Sequence, residues 1–157
     1  MQDILYREPG RLISTIKTIV LPVDGSRNAA RAATVAFELA EMMGAKLLIV
    51  HVVDLGAVQQ VAKSSGSDFL SALQQYVTNG NKLLDGYKSA ASGYKLQTEL
   101  ILERGEPSDK IVHVANERKA DIIVIGSQGL GREDRTHIGG TTDLVTHKAG
   151  CAVLIVK

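Results

Sequence analysis

The residues best suited to chemistry lie in the last third of the chain. Gly126, Gly129 and Gly131 follow the apolar run Ile122–Ile125, and a second pair, Gly139-Gly140, precedes Thr141 and Thr142. Glycine lets main-chain N–H groups approach an anion with no Cβ in the way. A helix opening at Gly139-Gly140 adds N–H groups that lack intrahelical partners, together with the positive end of its dipole. Two such elements about ten residues apart can hold a polyphosphate from both ends. The same glycines also suit plain tight turns, so this spacing alone leaves both readings open.

Other chemistries are poorly represented. The first strand-to-helix turn reads DGSRNA, without the G-x-G-x-x-G of dinucleotide binders, and no G-x-x-x-x-G-K-[ST] loop occurs anywhere. Gly-x-Ser-x-Gly is absent, and no His/Cys/carboxylate group has metal-site spacing. His51 falls inside an apolar run and reads as a satisfied core histidine, while His113 and His147 sit on helical patterns without ligand-spaced partners. His137 lies between the glycine clusters, as do Arg132, Glu133, Asp134 and Arg135, which read as a solvated loop with Arg132 or Arg135 able to screen a phosphate. Cys151 is the one cysteine and reads as a small buried hydrophobe, with no internal disulfide.

The elements that must position these residues follow from hydrophobic patterning. Thr18–Val23, Leu47–Val53, Ile122–Ile125 and Ala152–Val156 are short, β-branched-rich runs, continuous rather than alternating, as strands covered on both faces require. Leu96–Leu102 alternates more and belongs nearer an edge. Helical periodicity fills the intervals at about 26–43, 68–91, 108–118 and 141–148. Gly56 to Ser67 reads as a polar, flexible connection, a candidate flap beside the strand ends. Strand and helix alternate, which predicts a doubly wound α/β domain with five parallel strands and helices on both faces.

At 157 residues the chain suits one domain, here residues 17–157, after a leader over 1–16 that is docked or flexible. A net charge of +1 gives no bulk reason to expect nucleic acid or an anionic membrane, and 4% aromatics argue against a base-stacking surface. No apolar run reaches the ~20 residues of a membrane span, and the N-terminal residues do not have the pattern of an export signal. Cytoplasmic location is the expectation.

The run from Gly126, with Gly129 three residues on, nine residues, Gly139, then a short helix and the strand CAVLIVK, resembles the ATP-binding signature of universal stress proteins. TIVLPVDGS, LLIVHVVD and ERGEPSDKIVHVANERKADIIVIGSQGLG are similar to that family's other blocks, in the same order, so the likeness spans Lys17 to Lys157. The resemblance implies an adenine-nucleotide site. Asp24, with Pro22 and Val23 before it, would meet the adenosine end, and Val52 would line the adenine pocket. Ile125, Gly126, Gln128 and Gly129 would wrap ribose and phosphates, and Gly139, Gly140, Thr141 and Thr142 would hold phosphates from the helix N-terminus. It further implies ATP, with Mg2+ as an accompanying ion, acting as a conformational or assembly ligand with at most slow hydrolysis. A homodimer through the C-terminal strand is also implied.

One position departs from the family pattern. Gly140 stands where the signature has Ser or Thr, so a hydroxyl donor to phosphate is missing unless Thr141 or Thr142 supplies it. One lost hydrogen bond to a charged group costs about 1.5–3 kcal/mol. That departure favours the competing reading, an interaction module that binds no nucleotide.

Overall fold

Continuous apolar runs become central strands when helices cover both their faces, and that is how this chain is arranged. The computed structural model describes residue 11 and residues 13–130 and 137–157. Expectations for Ile4, Leu5 and Leu12 of the leader, and for Gly131, Arg132, Glu133, Asp134 and Arg135, lie outside the described residues. After a 3-10 turn at Ile13–Thr15 come β1 (Thr18–Pro22), α1 (Arg27–Met43), β2 (Lys46–Asp54), α2 (Leu55–Ser65) and α3 (Phe69–Ala91). β3 (Gln97–Gly105), α4 (Pro107–Glu117), β4 (Ile122–Gly126), α5 (Gly140–Lys148) and β5 (Ala152–Val156) complete the chain. The five strands form one parallel sheet in the order β3-β2-β1-β4-β5, the doubly wound architecture expected from the alternation.

Alternate residues of the central strands feed two cores. Ile19, Leu21, Leu47, Ile49, Ile122 and Val124 pack under the alanine-rich face of α1 and under Leu84 and Ala91 of α3. Val20, Leu48, Val50, Ile123 and Ile125 face Ile111, Val114 and Ala115 of α4 and Val145 of α5. Gly80 lets α3 approach the sheet: a Cβ there would lie 2.8 Å from the His51 ring and 2.9 Å from Leu102.

The segment 56–67 corrects an expectation. It is not a flexible connection; most of it is α2. Asp54 caps that helix, its Oδ1 accepting from the N–H groups of Gly56 (2.9 Å) and Ala57 (3.2 Å), and Gly66 ends it at φ +67°. Val58 and Ala62, one turn apart, are buried with Val53 and Ala72 in a third cluster. Burying one valine contributes on the order of 1.5–3 kcal/mol, enough to fix a short helix.

β5 lies at the sheet edge, as expected. Within it Val153 and Ile155 pack against the core beneath α4 and α5, whereas Leu154 is 39% exposed. Ile16 is already buried at the start of the domain, and Ile13 is exposed. Among the described residues no helix is long and apolar enough to cross a membrane.

Candidate functional site

The strand order reverses at β1: the chain moves outward to β2 and β3, then returns to β4 on the other side. Such a switch point leaves a crevice at the carboxyl ends of the strands. Here it is a cleft of about 630 Å³. Pro22, Val23 and Asp24 line it from the end of β1, Val52 from β2, and Ile125, Gly126, Gln128 and Gly129 from the end of β4. Gly139, Gly140, Thr141 and Thr142 close it at the start of α5. All twelve residues singled out in the sequence thus come together on one cleft.

β1 ends at Pro22 while β2 continues to Asp54, and this mismatch exposes main chain. The last rung between them runs from Val23 N–H to the Val50 carbonyl at 2.8 Å. In a parallel ladder the next rung would run from Val52 N–H to the Val23 carbonyl. That carbonyl is instead met by His51 Nδ1 at 2.7 Å. Val52 points its N–H and C=O to the same side as Val50, by the two-residue repeat of a strand. There they have no backbone partner among the described residues. His51 is thus the satisfied histidine expected, and its ring leaves a donor and an acceptor side by side at the cleft.

Asp24 is half-buried and engaged on both oxygens. Oδ1 accepts from Ser26 N–H (3.0 Å) and Oδ2 from Leu130 N–H (3.2 Å). It therefore braces the entry to α1, where Ser26 is the N-cap, and also reaches across to the loop after β4. Each carboxylate oxygen retains acceptor capacity beyond these bonds.

The glycine motif has a structural duty at each position but one. A Cβ on Gly126 would lie 2.7 Å from the Asn28 carbonyl carbon and 2.8 Å from its oxygen, so this glycine admits the first turn of α1. Gly139 donates its N–H to the Ser127 carbonyl at 2.7 Å, and its own Cβ would press on Gln128 and Ser127. Gly140 has nothing within 4 Å of where a Cβ would stand.

Two side chains of the cleft are engaged within the protein. Thr142 is buried and donates its hydroxyl to the Gly126 carbonyl at 2.7 Å, pinning α5 to the end of β4. It therefore does not supply the missing hydroxyl proton; exposed Thr141 is left for that. Gln128 is buried, and its Nε2 donates to the His137 carbonyl at 2.5 Å, bridging the base of the intervening loop. His137 is exposed and does not line the cleft.

Other cleft residues were missed in the sequence. Asp54, Ala57 and Tyr76 enter because α2 and α3 fold over the end of β2, and Pro107 and Ile111 enter from the first turns of α4. The signals were present: Asp54 stands as an N-cap before a run with Val58 and Ala62 at helical spacing, and Pro107 occupies the first helical position after Glu106. Among the described residues no group of three metal-ligating side chains forms.

The universal stress protein family matches residues 15–157. The chain belongs to the universal stress protein family. A universal stress protein of Thermus aquaticus, encoded in the 3′ region of a sulfhydrylase gene, is 36% identical over 142 residues, covering 90% of this chain and 98% of the relative. A universal stress protein solved in complex with cAMP is similar at 25% identity and TM-score 0.66, covering 90% of this chain and 96% of the other. One from Archaeoglobus fulgidus, in complex with dAMP, is also similar at 25% identity and TM-score 0.66, covering 90% and 98%. The universal stress protein described here shares their fold and most of their length.

Proposed function

We propose that this universal stress protein binds an adenine nucleotide in the switch-point cleft, as a ligand that stabilises one conformation or assembly. The observation that carries the proposal is that the N–H and C=O of Val52, which lines the cleft, have no backbone partner on the β1 side among the described residues. A neighbouring donor and acceptor complement the N1 acceptor and 6-amino donor of adenine. Val50, Ile111 and Ile125 offer apolar walls for the base. Asp24 stands where a ribose hydroxyl can donate to it, and the N-terminus of α5 offers N–H groups to phosphate. The complexes of two similar universal stress proteins with cAMP and dAMP support the same ligand class. Mg2+ would accompany only a polyphosphate, and a cytoplasmic location remains part of the proposal.

Calorimetric titration with AMP and IMP tests the base contact. Inosine reverses both groups, presenting N1–H and O6, so IMP should bind at least about tenfold more weakly than AMP. Equal affinity would remove Val52 from the reading.

A second reading, a dimeric interaction module without nucleotide, draws on the phosphate end. Gly140 brings no hydroxyl there and that of Thr142 is engaged with Gly126. In both readings the open edge of β5 is proposed to pair with its copy about a two-fold axis.

A further inference from the structure

We infer that His51 is a positioning residue for the base: its imidazole takes the carbonyl that would otherwise occupy the Val52 N–H, and so holds the β1–β2 ladder open at the cleft. The inference rests on the adenine-nucleotide reading above and adds to it a residue that acts through Val52. β1 and β2 run in register as far as Pro22 and Val50. Val23 N–H adds one more bond, to the Val50 carbonyl at 2.8 Å. Beyond it the Val23 carbonyl meets His51 Nδ1, at 2.7 Å, where a continuing ladder would bring Val52 N–H. A carbonyl only accepts, so Nδ1 carries the hydrogen.

The ring reaches that carbonyl from the α3 face of the sheet. Leu47 and Ile49 pack towards α1 and α3, and the two-residue repeat of the strand puts His51 on the same face. Val50 and Val52 pack on the other face, with Ile111 and Ile125. Gly80 of α3 makes room for the imidazole: a Cβ there would stand 2.8 Å from its Cδ2 and 3.3 Å from its Nε2. The ring is thus seated between α3 and the end of β1, and it meets Val23 without entering the apolar side of the cleft. An aliphatic side chain at position 51 would remove this donor. Val23 is buried, and a buried carbonyl left unmet is costly. The donor a parallel ladder supplies there is Val52 N–H, and pairing the two would lengthen the sheet by one rung and withdraw that donor from the base. Asparagine differs, because its Nδ2 branches from Cγ as Nδ1 of histidine does and can serve the same carbonyl.

The test pairs amide hydrogen exchange, read by NMR on the ligand-free full chain, with calorimetry. In the wild type the Val52 amide should exchange at least about a hundredfold faster than that of Val50, which lies within the ladder. His51→Leu should slow Val52 towards Val50, and His51→Asn should keep it fast. AMP should bind His51→Leu at least about tenfold more weakly than wild type, and the preference for AMP over IMP should shrink with it. His51→Asn should stay within about threefold of wild type on both counts. A general loss of structure would weaken AMP and IMP alike and leave their ratio unchanged, and that result would overturn the inference. A Val52 amide as protected as Val50 in the wild type would overturn it too, whether or not His51→Leu folds. Either result, with AMP still bound by the wild type, leaves the adenine-nucleotide reading intact. No binding of AMP by the wild type would overturn both.

Discussion

Gly129 and Asp24 are so close that a methyl group on Gly129 would stand 2.5 Å from Asp24 Oδ2. Gly129, in the loop after β4, is therefore the seat of the Asp24 carboxylate at the end of β1. Gly129→Ala should push that carboxylate aside and break its bond to Leu130 N–H. Because the clash is with the tip of a side chain, the fold should survive, at a cost of roughly 1 kcal/mol. Nucleotide affinity should fall about tenfold, as for Asp24→Ala, and the double variant should lose little more. Fully additive losses in titration would show that the two residues act separately.

Gly126→Ala should behave in the opposite way. Its methyl group would meet the Asn28 main chain, which cannot yield without shifting α1. We expect a loss of about 1–3 kcal/mol in urea denaturation, against about 1 for Gly129→Ala. Two glycines of one motif would thus separate into a packing position and a site position.

Gly140→Ser restores the hydroxyl of the family pattern at a position with open space around it. Affinity for a phosphate-bearing nucleotide should rise by up to about tenfold, and that for adenosine should not change, because the new donor addresses phosphate alone. A gain shared equally by adenosine in calorimetry would trace to helix stability instead.

At the sheet edge, Leu154→Lys is the variant that tests pairing through β5. Leu154 is exposed on the strand whose outer edge has no strand neighbour among the described residues, whereas lysine at Val153 or Ile155 would enter the core. Sedimentation at tens of micromolar should show a dimer for the wild type and a monomer for the variant. A wild type that sediments as a monomer would sink the dimer proposal.

The strands were legible because burial on both faces demands continuous apolar residues, and each run in the sequence became a strand within a few residues. The cleft was legible because the glycines and Asp24 directly follow the apolar runs of β1 and β4, at whose ends a doubly wound sheet opens its crevice. α2 was not. Gly56, Gln59, Gln60, Lys63, Ser64 and Ser65 dilute its composition, and only Val58 and Ala62 mark the buried stripe, so its stability comes from α3 rather than from propensity. Nor could the sequence show that Gly126 makes room for α1, or that the hydroxyl of Thr142 faces inward. Both depend on contacts between segments far apart in the chain.

The ion-pair cluster on the edge strand β3 gives a pH prediction. Glu99 accepts two hydrogen bonds from Arg118, at 2.8 and 2.5 Å, and pairs with Lys46 at 2.7 Å. The Arg118 bonds first, then the Lys46 bond, hold its carboxyl down at about 2. A carboxyl lowered on folding stabilises the native state above its unfolded value of about 4.3, and the contribution is lost as pH falls towards 2. The side chains of all three residues are 36% exposed, so solvent screening reduces the benefit to about 1 kcal/mol or less. Glu99→Gln should therefore lower Tm by up to about 2–4 °C at pH 7. The difference from wild type should shrink through pH 4 and vanish near pH 2, and 1 M salt at pH 7 should shrink it as well. A difference that stays constant from pH 7 to pH 2 would assign the effect to packing of the Glu99 side chain rather than to its charge.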